Sequence, residues 1–87
     1  MAKHQVFVEV KAQKQIKKVS KRDQERIIEA LNTLEKEGLS ARLDIKKLRG
    51  YQRHFRIRVG DYRLRFEFSA DQTIVVYSIS QREKAYE

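Results

Sequence analysis

The 87-residue chain has no cysteine, no proline and no tryptophan, and only three glycines and two histidines. Without cysteine it can form no disulfide and offers no thiolate to a metal. His4 and His54 cannot complete a zinc site by themselves, so neither metal nor cofactor is expected. No apolar run approaches the ~20 residues needed to cross a bilayer. The opening stretch MAKHQVFVEV lacks the apolar core of a signal peptide, which makes a cytoplasmic location the expectation. There is no repeat and no low-complexity segment. The length suits one domain over residues 1–87, since domains commonly run to roughly 100–150 residues.

Positive charge is abundant. Twenty Lys and Arg stand against 12 Asp and Glu, a net charge of +8. That balance favours nucleic acid or another acidic partner. A charge-rich surface of both signs is also a mark of heat adaptation. That explanation covers the number of charges, but not where they cluster.

The clustering is sharpest in RHFRIRVGDYRLRFE, residues 53–67. Phe55, Ile57 and Val59 alternate with His54, Arg56 and Arg58. Tyr62, Leu64 and Phe66 alternate with Arg63, Arg65 and Glu67. Successive strand side chains point to opposite faces, so this pattern predicts two strands, each apolar on one face and charged on the other. Gly60-Asp61 between them has the composition of a type II′ turn. That turn sets Val59 opposite Tyr62, Arg58 opposite Arg63, and Arg56 opposite Arg65. Directly opposed like charges cost roughly 0.2–1 kcal/mol per pair. A fold gains nothing from this arrangement, whereas a polyanion site would use it.

The remaining elements follow in order. Gln5–Val10 reads as a strand with Val6, Val8 and Val10 on one face. Lys11–Val19 reads as a short helix with Ala12, Ile16 and Val19 as its apolar stripe. Lys11, Lys14, Lys17 and Lys18 cover most of the rest, either as a solvated face or as a grip on RNA phosphates. Ser20 is a good N-cap for a second helix from Lys21 to about Glu37, with Ile27, Ile28, Leu31 and Leu34 facing inward. Gly38 ends that helix. Leu39–Lys46 reads as a connector, anchored by Leu43 and Ile45. Thr73–Ser80 is the last strand, apolar on both faces. Arg82 and Tyr86 lie in a polar tail. The order β-α-α-β-β-β predicts an α+β fold: an antiparallel sheet with a helical hairpin on one face. The opposite face, bearing His54, Arg56, Arg58, Arg63 and Arg65, is left open.

Three segments in order, LDIKKLRG, FRIRVGDYRLRF and IVVYSISQREKAY, resemble the RelE/ParE superfamily of small bacterial and archaeal toxins. The resemblance extends over nearly the whole chain. It implies a RelE-like toxin that cuts messenger RNA in the ribosomal A site without a metal. It also implies a cognate RelB-like antitoxin, an acidic or amphipathic segment that covers the arginines or wraps the helices. The family's catalytic positions map onto Arg56, Arg58, Arg63, Arg82 and Tyr86. Lys47, Arg49, Arg53 and Arg65 are further candidates for RNA contact. Some members carry lysine where this chain has Arg56 and Arg58.

That departure bears on the chemistry. The 2′-hydroxyl must lose a proton as it attacks the neighbouring phosphorus. Arginine holds phosphate well through its planar fork, but with a pKa above roughly 12 it is a poor base. His54 shares the face, and histidine has an intrinsic pKa in the useful range. It is either the base or an exposed strand residue paired with Glu67. Tyr86 either stacks on an unpaired base or packs at the sheet edge. Tyr62 and Tyr77 read as core or edge residues. Two other functions fit the same scaffold: a ParE-like block of DNA gyrase, and RNA binding without cleavage.

Overall fold

β-branched Val6 and Val8 alternate with Gln5 and Phe7 to make β1 (Gln5–Val8). The computed structural model describes residues 4–40, 42–50, 52–69 and 71–81. Val10 opens α1 (Val10–Lys17) instead of extending the strand, and it is exposed. α2 (Lys21–Glu37) begins where Ser20 Oγ accepts a hydrogen bond from the Asp23 amide at 3.3 Å. Gln24 locks the junction between the helices by donating to the Val19 carbonyl at 2.9 Å. Gly38 ends α2 with φ 61° and starts a single 3-10 turn, Gly38–Ser40. Then come β2 (Asp44–Lys47), β3 (His54–Val59), β4 (Tyr62–Phe68) and β5 (Thr73–Gln81).

The fold is α+β, with the sheet order β1-β5-β4-β3-β2. Two features of the sheet topology differ from the sequence expectation. The connector before the arginine hairpin contains a fifth strand, β2, antiparallel to β3. Its DIKK sequence holds one apolar residue among types that are depleted in strands, so its alternation is nearly invisible. Short, lysine-bearing strands are typical of protected sheet edges. The sheet is also mixed, because β1 runs parallel to β5. No hairpin joins those two strands, and side-chain alternation is the same in either direction.

The helices cover one face. α1 lies on β5, and α2 lies against β1 and β3. Ala12, Val19, Ile27, Leu31, Leu34, Ile57, Leu64, Phe66, Ile74, Val76 and Ile79 form the core between the two layers. Leu43 and Ile45 pack against it from the β2 side, as their spacing suggested. Ile28, expected inside, is 50% exposed. It lies about 100° round the helix from Ile27, beyond the stripe that Ala30, Leu31 and Leu34 define. No helix among the described residues is long and apolar enough to cross a membrane.

Candidate nucleic-acid interface

Arginine alternation and a two-residue turn build the site. Gly60 has φ 57°, and Asp61 is not among the positive-φ residues, as a type II′ turn requires. The resulting register sets Val59 against Tyr62, Arg58 against Arg63, Arg56 against Arg65 and His54 against Glu67. Ile57, Leu64 and Phe66 are fully buried under the helices, so the arginines occupy the other face.

Neighbouring strands extend these pairs into rows across the sheet. One row reads Asp44, Arg58, Arg63, Ser80, and the next Lys46, Arg56, Arg65, Ser78. The third runs His54, Glu67, Val75, Phe7. Arg56 sits at the centre, flanked by Lys46 and Arg65 across the sheet and by His54 and Arg58 along its own strand. It is only 6% exposed. The expectation that all four arginines face solvent is therefore corrected at Arg56, which lies on the helix-free face but is buried. Arg58, Arg63 and Arg65 are half-buried around it. Arg58 Nε lies 3.7 Å from Asp44 Oδ2.

The same register sorts the flanking candidates. Lys47 pairs with Phe55, which puts it on the helix side of the edge strand. Lys46 is the β2 lysine that joins the arginine rows. Composition could not choose between two adjacent lysines without knowing that this segment is a strand. Arg49 is exposed in the loop between β2 and β3. Arg53 is exposed as well, and holds φ 62°, a left-handed conformation uncommon outside glycine. Its carbonyl accepts from the Phe68 amide at 2.8 Å, which closes the open end of the hairpin. Arg82 and Tyr86 lie outside the described residues.

His54 is half-buried, and its Nδ1 lies 3.0 Å from the Tyr77 hydroxyl. Glu67 is its neighbour in the ladder, as expected, but Tyr77 is its hydrogen-bonding neighbour. Tyr77 was not among the sequence candidates. A β-bulge brings it here: β4 and β5 shift register between Arg65 and Phe66, where Arg65 pairs with Ser78 and Phe66 with Val76. The trace of that bulge in the sequence is the three-residue step between the inward residues Val76 and Ile79.

Spacing shows what these groups can do together. His54 and Arg56 are two residues apart, roughly 7 Å along the strand, and Arg58 is roughly 13 Å from His54. A phosphate above Arg56 is thus within reach of the flexible Arg58, Arg63 and Arg65 side chains and of the His54 ring. Aligned with Arg58, it would leave the imidazole behind.

The chain and its fold have relatives. The family model described as "ParE toxin of type II toxin-antitoxin system, parDE" matches residues 6–86. The RelE–RelB complex of Pyrococcus horikoshii OT3 superposes with a TM-score of 0.83 at 25% identity, covering 97% of this chain and 100% of that one. The RelB–RelE antitoxin–toxin complex of Methanococcus jannaschii gives 0.73 at 32% identity, covering 88% and 91%. Toxin RelE3 of Methanocaldococcus jannaschii is 44% identical over 46 residues, so the match spans 53% of this chain and about half, 51%, of that protein. By the family match and by a fold shared over most of its length, the chain belongs to the RelE/ParE superfamily of type II toxin–antitoxin toxins.

Proposed function

We propose that the chain, acting as a single toxin domain in the cytoplasm, is a ribosome-dependent endoribonuclease that cleaves messenger RNA in the A site. A RelB-like antitoxin holds it in check. The observation that carries this reading is the pair of opposed arginine pairs, Arg58–Arg63 and Arg56–Arg65, on the helix-free face around a covered Arg56. Like charges are brought together there at a cost to the sheet, and a phosphate offsets that cost. The archaeal relatives are complexes of RelE with RelB, which supports an antitoxin of that kind as the partner.

Cleavage has three parts. A 2′-hydroxyl gives up its proton and its oxygen bonds to the adjacent phosphorus. The nonbridging oxygens gain charge in the pentacoordinate transition state. The bond from phosphorus to the 5′-oxygen breaks, and that oxygen takes a proton. Arg56 forms the charged floor, and Arg63, Arg58 and Arg65 close on the nonbridging oxygens as charge develops. His54 takes the first proton. Tyr86 has a phenol able to supply the last, and Arg82 is a further cation for the phosphate. Arg49, Arg53 and Lys46 lie on the path of the flanking strand.

Ribosomes translating a defined message are the test. The purified chain should create new ends inside the A-site codon, and none on the same message without ribosomes. A message left intact on translating ribosomes overturns the reading. The ParE description of the matching family model favours a second one, a block of DNA gyrase. Inhibition of gyrase supercoiling without RNA cleavage would establish that alternative.

A further inference from the structure

β5 holds one residue more than the ladder beside it uses. Tyr77 falls between the matched pairs Phe66–Val76 and Arg65–Ser78. The bulge turns Tyr77 and Ser78 to the same face, where strict alternation would have separated them. From there the phenol passes over β4 and reaches β3. Its oxygen lies 3.0 Å from His54 Nδ1, with the rings 5.5 Å apart and inclined at 66°. Bulges commonly re-aim a side chain beside an active site.

The direction of that hydrogen bond decides what His54 can do. A neutral imidazole carries one proton on two nitrogens. If the phenol donated to Nδ1, the ring would hold its proton on Nε2 and would have no lone pair to offer there. If Nδ1–H donates to the phenolic oxygen, Nε2 is left as an acceptor. The second direction also survives protonation, because the imidazolium donates through Nδ1 in the same geometry and more strongly.

We infer that Tyr77 is a positioning residue for His54: its oxygen accepts the Nδ1–H, holds the tautomer with its lone pair on Nε2, and aims that nitrogen at the 2′-hydroxyl beside a phosphate above Arg56. The inference rests on the endoribonuclease reading. In the step it serves, the 2′-hydroxyl proton passes to Nε2 while the 2′-oxygen bonds to phosphorus. The bond to the 5′-oxygen breaks, and that oxygen leaves with a proton from Tyr86. Among the described residues, the charged groups around His54 are Glu67 opposite it on β4, Arg65 diagonal to it, Arg56 along β3, Arg53 just before it and Lys46 on β2. Of these only Glu67 is an acceptor. A neutral phenolic acceptor supports the charged ring without binding the arginines as a second carboxylate would.

Two measurements test this on the intact chain. Long-range nitrogen–proton NMR of the imidazole reports the tautomer in the free protein. Single-turnover cleavage on ribosomes across pH reports the base. In the parent, neutral His54 should carry its proton on Nδ1, and in Tyr77→Phe this preference should be lost. Tyr77→Phe should cut ~10-fold more slowly at the plateau, as for loss of a group that orients a histidine. Its pH profile should change together with its rate, because Nε2 is no longer held as the acceptor. His54→Gln should lose the acid limb altogether. An Nε2-protonated ring in the parent, or an unchanged tautomer in Tyr77→Phe, overturns the inference. So does a parent that cuts while Tyr77→Phe keeps its rate and profile. If the tautomer shifts as expected but the parent never cuts on ribosomes, the endoribonuclease reading fails and the catalytic role of Tyr77 falls with it.

Discussion

Asp44 stands opposite Arg58 across the β2–β3 ladder, with Oδ2 3.7 Å from Nε. It is the carboxylate at the head of the row that continues through Arg63. The pair is partly exposed, with side chains 49% and 33% accessible, and such pairs add at most ~1 kcal/mol. Its larger effect is competition, because a phosphate approaching Arg58 must displace it. Asp44→Asn should leave the melting temperature nearly unchanged and tighten RNA binding several-fold. Fluorescence anisotropy with a short single-stranded RNA checks this. Weaker binding would mean that Asp44 orients Arg58 instead of occupying it.

Arg63 is opposite Arg58 and diagonal to the covered Arg56. On the endoribonuclease reading, a preorganised guanidinium there would bind the transition state better than the ground state. Arg63→Ala should slow single-turnover cleavage by at least ~100-fold, on the scale of losing one oxyanion donor. Binding should weaken less than turnover does, since Arg56, Arg58 and Arg65 remain. Relief of the Arg58 repulsion offsets the lost packing, so thermal melting should change little. A variant that melts normally and cuts at the parental rate would make Arg63 a surface charge only.

RNA affinity should fall steeply with salt. Each phosphate neutralised on a single strand contributes about −0.7 to the slope of log affinity against log salt. Three or four arginine contacts therefore predict a slope of about −2 to −3. A titration from low to moderate ionic strength measures it, and a flat response would remove the polyanion reading of the +8 charge.

Gly38 is fixed by backbone and by space. It holds φ 61° and ψ −142°, a region nearly closed to other residues. A Cβ there would also collide with the His4 ring. His4 is bound at this corner, where its amide donates to the Glu35 carbonyl at 2.9 Å. Gly38→Ala should cost more than ~2 kcal/mol, from backbone strain together with displacement of the His4 ring. Adding His4→Ala should recover the steric part and leave ~1–2 kcal/mol of strain. Urea unfolding of both variants separates the two. Equal losses would show that the ring yields freely.

The arginine hairpin was the most legible part of the sequence, because alternation and a Gly-Asp turn fix each other. An error of one residue would have put the arginines under the helices. The Ser20 cap and the Gly38 stop were legible for a similar reason, each being a local requirement of the backbone. β2 was not, since one isoleucine among charged residues carries no period. The burial of Arg56 was hidden because alternation sets which face a side chain takes, not how far its surroundings cover it. Tyr77 was hidden because the bulge that turns it toward His54 is a relation between strands. Read along one chain, TIVVYSIS simply carries apolar residues on both faces.

The bulge also shows what β5 can do without. If Tyr77 were deleted, Val76, Ser78, Ile79 and Ser80 would follow in simple alternation, inward, outward, inward, outward. Phe66 would still meet Val76, Arg65 would still meet Ser78, and Leu64 would still meet Ile79. The ladder would close over the gap with every other residue keeping its partner and its face. The sheet is thus one residue longer than its own assembly requires. A residue that architecture can spare persists for another reason, and in this strand that residue is the tyrosine against His54.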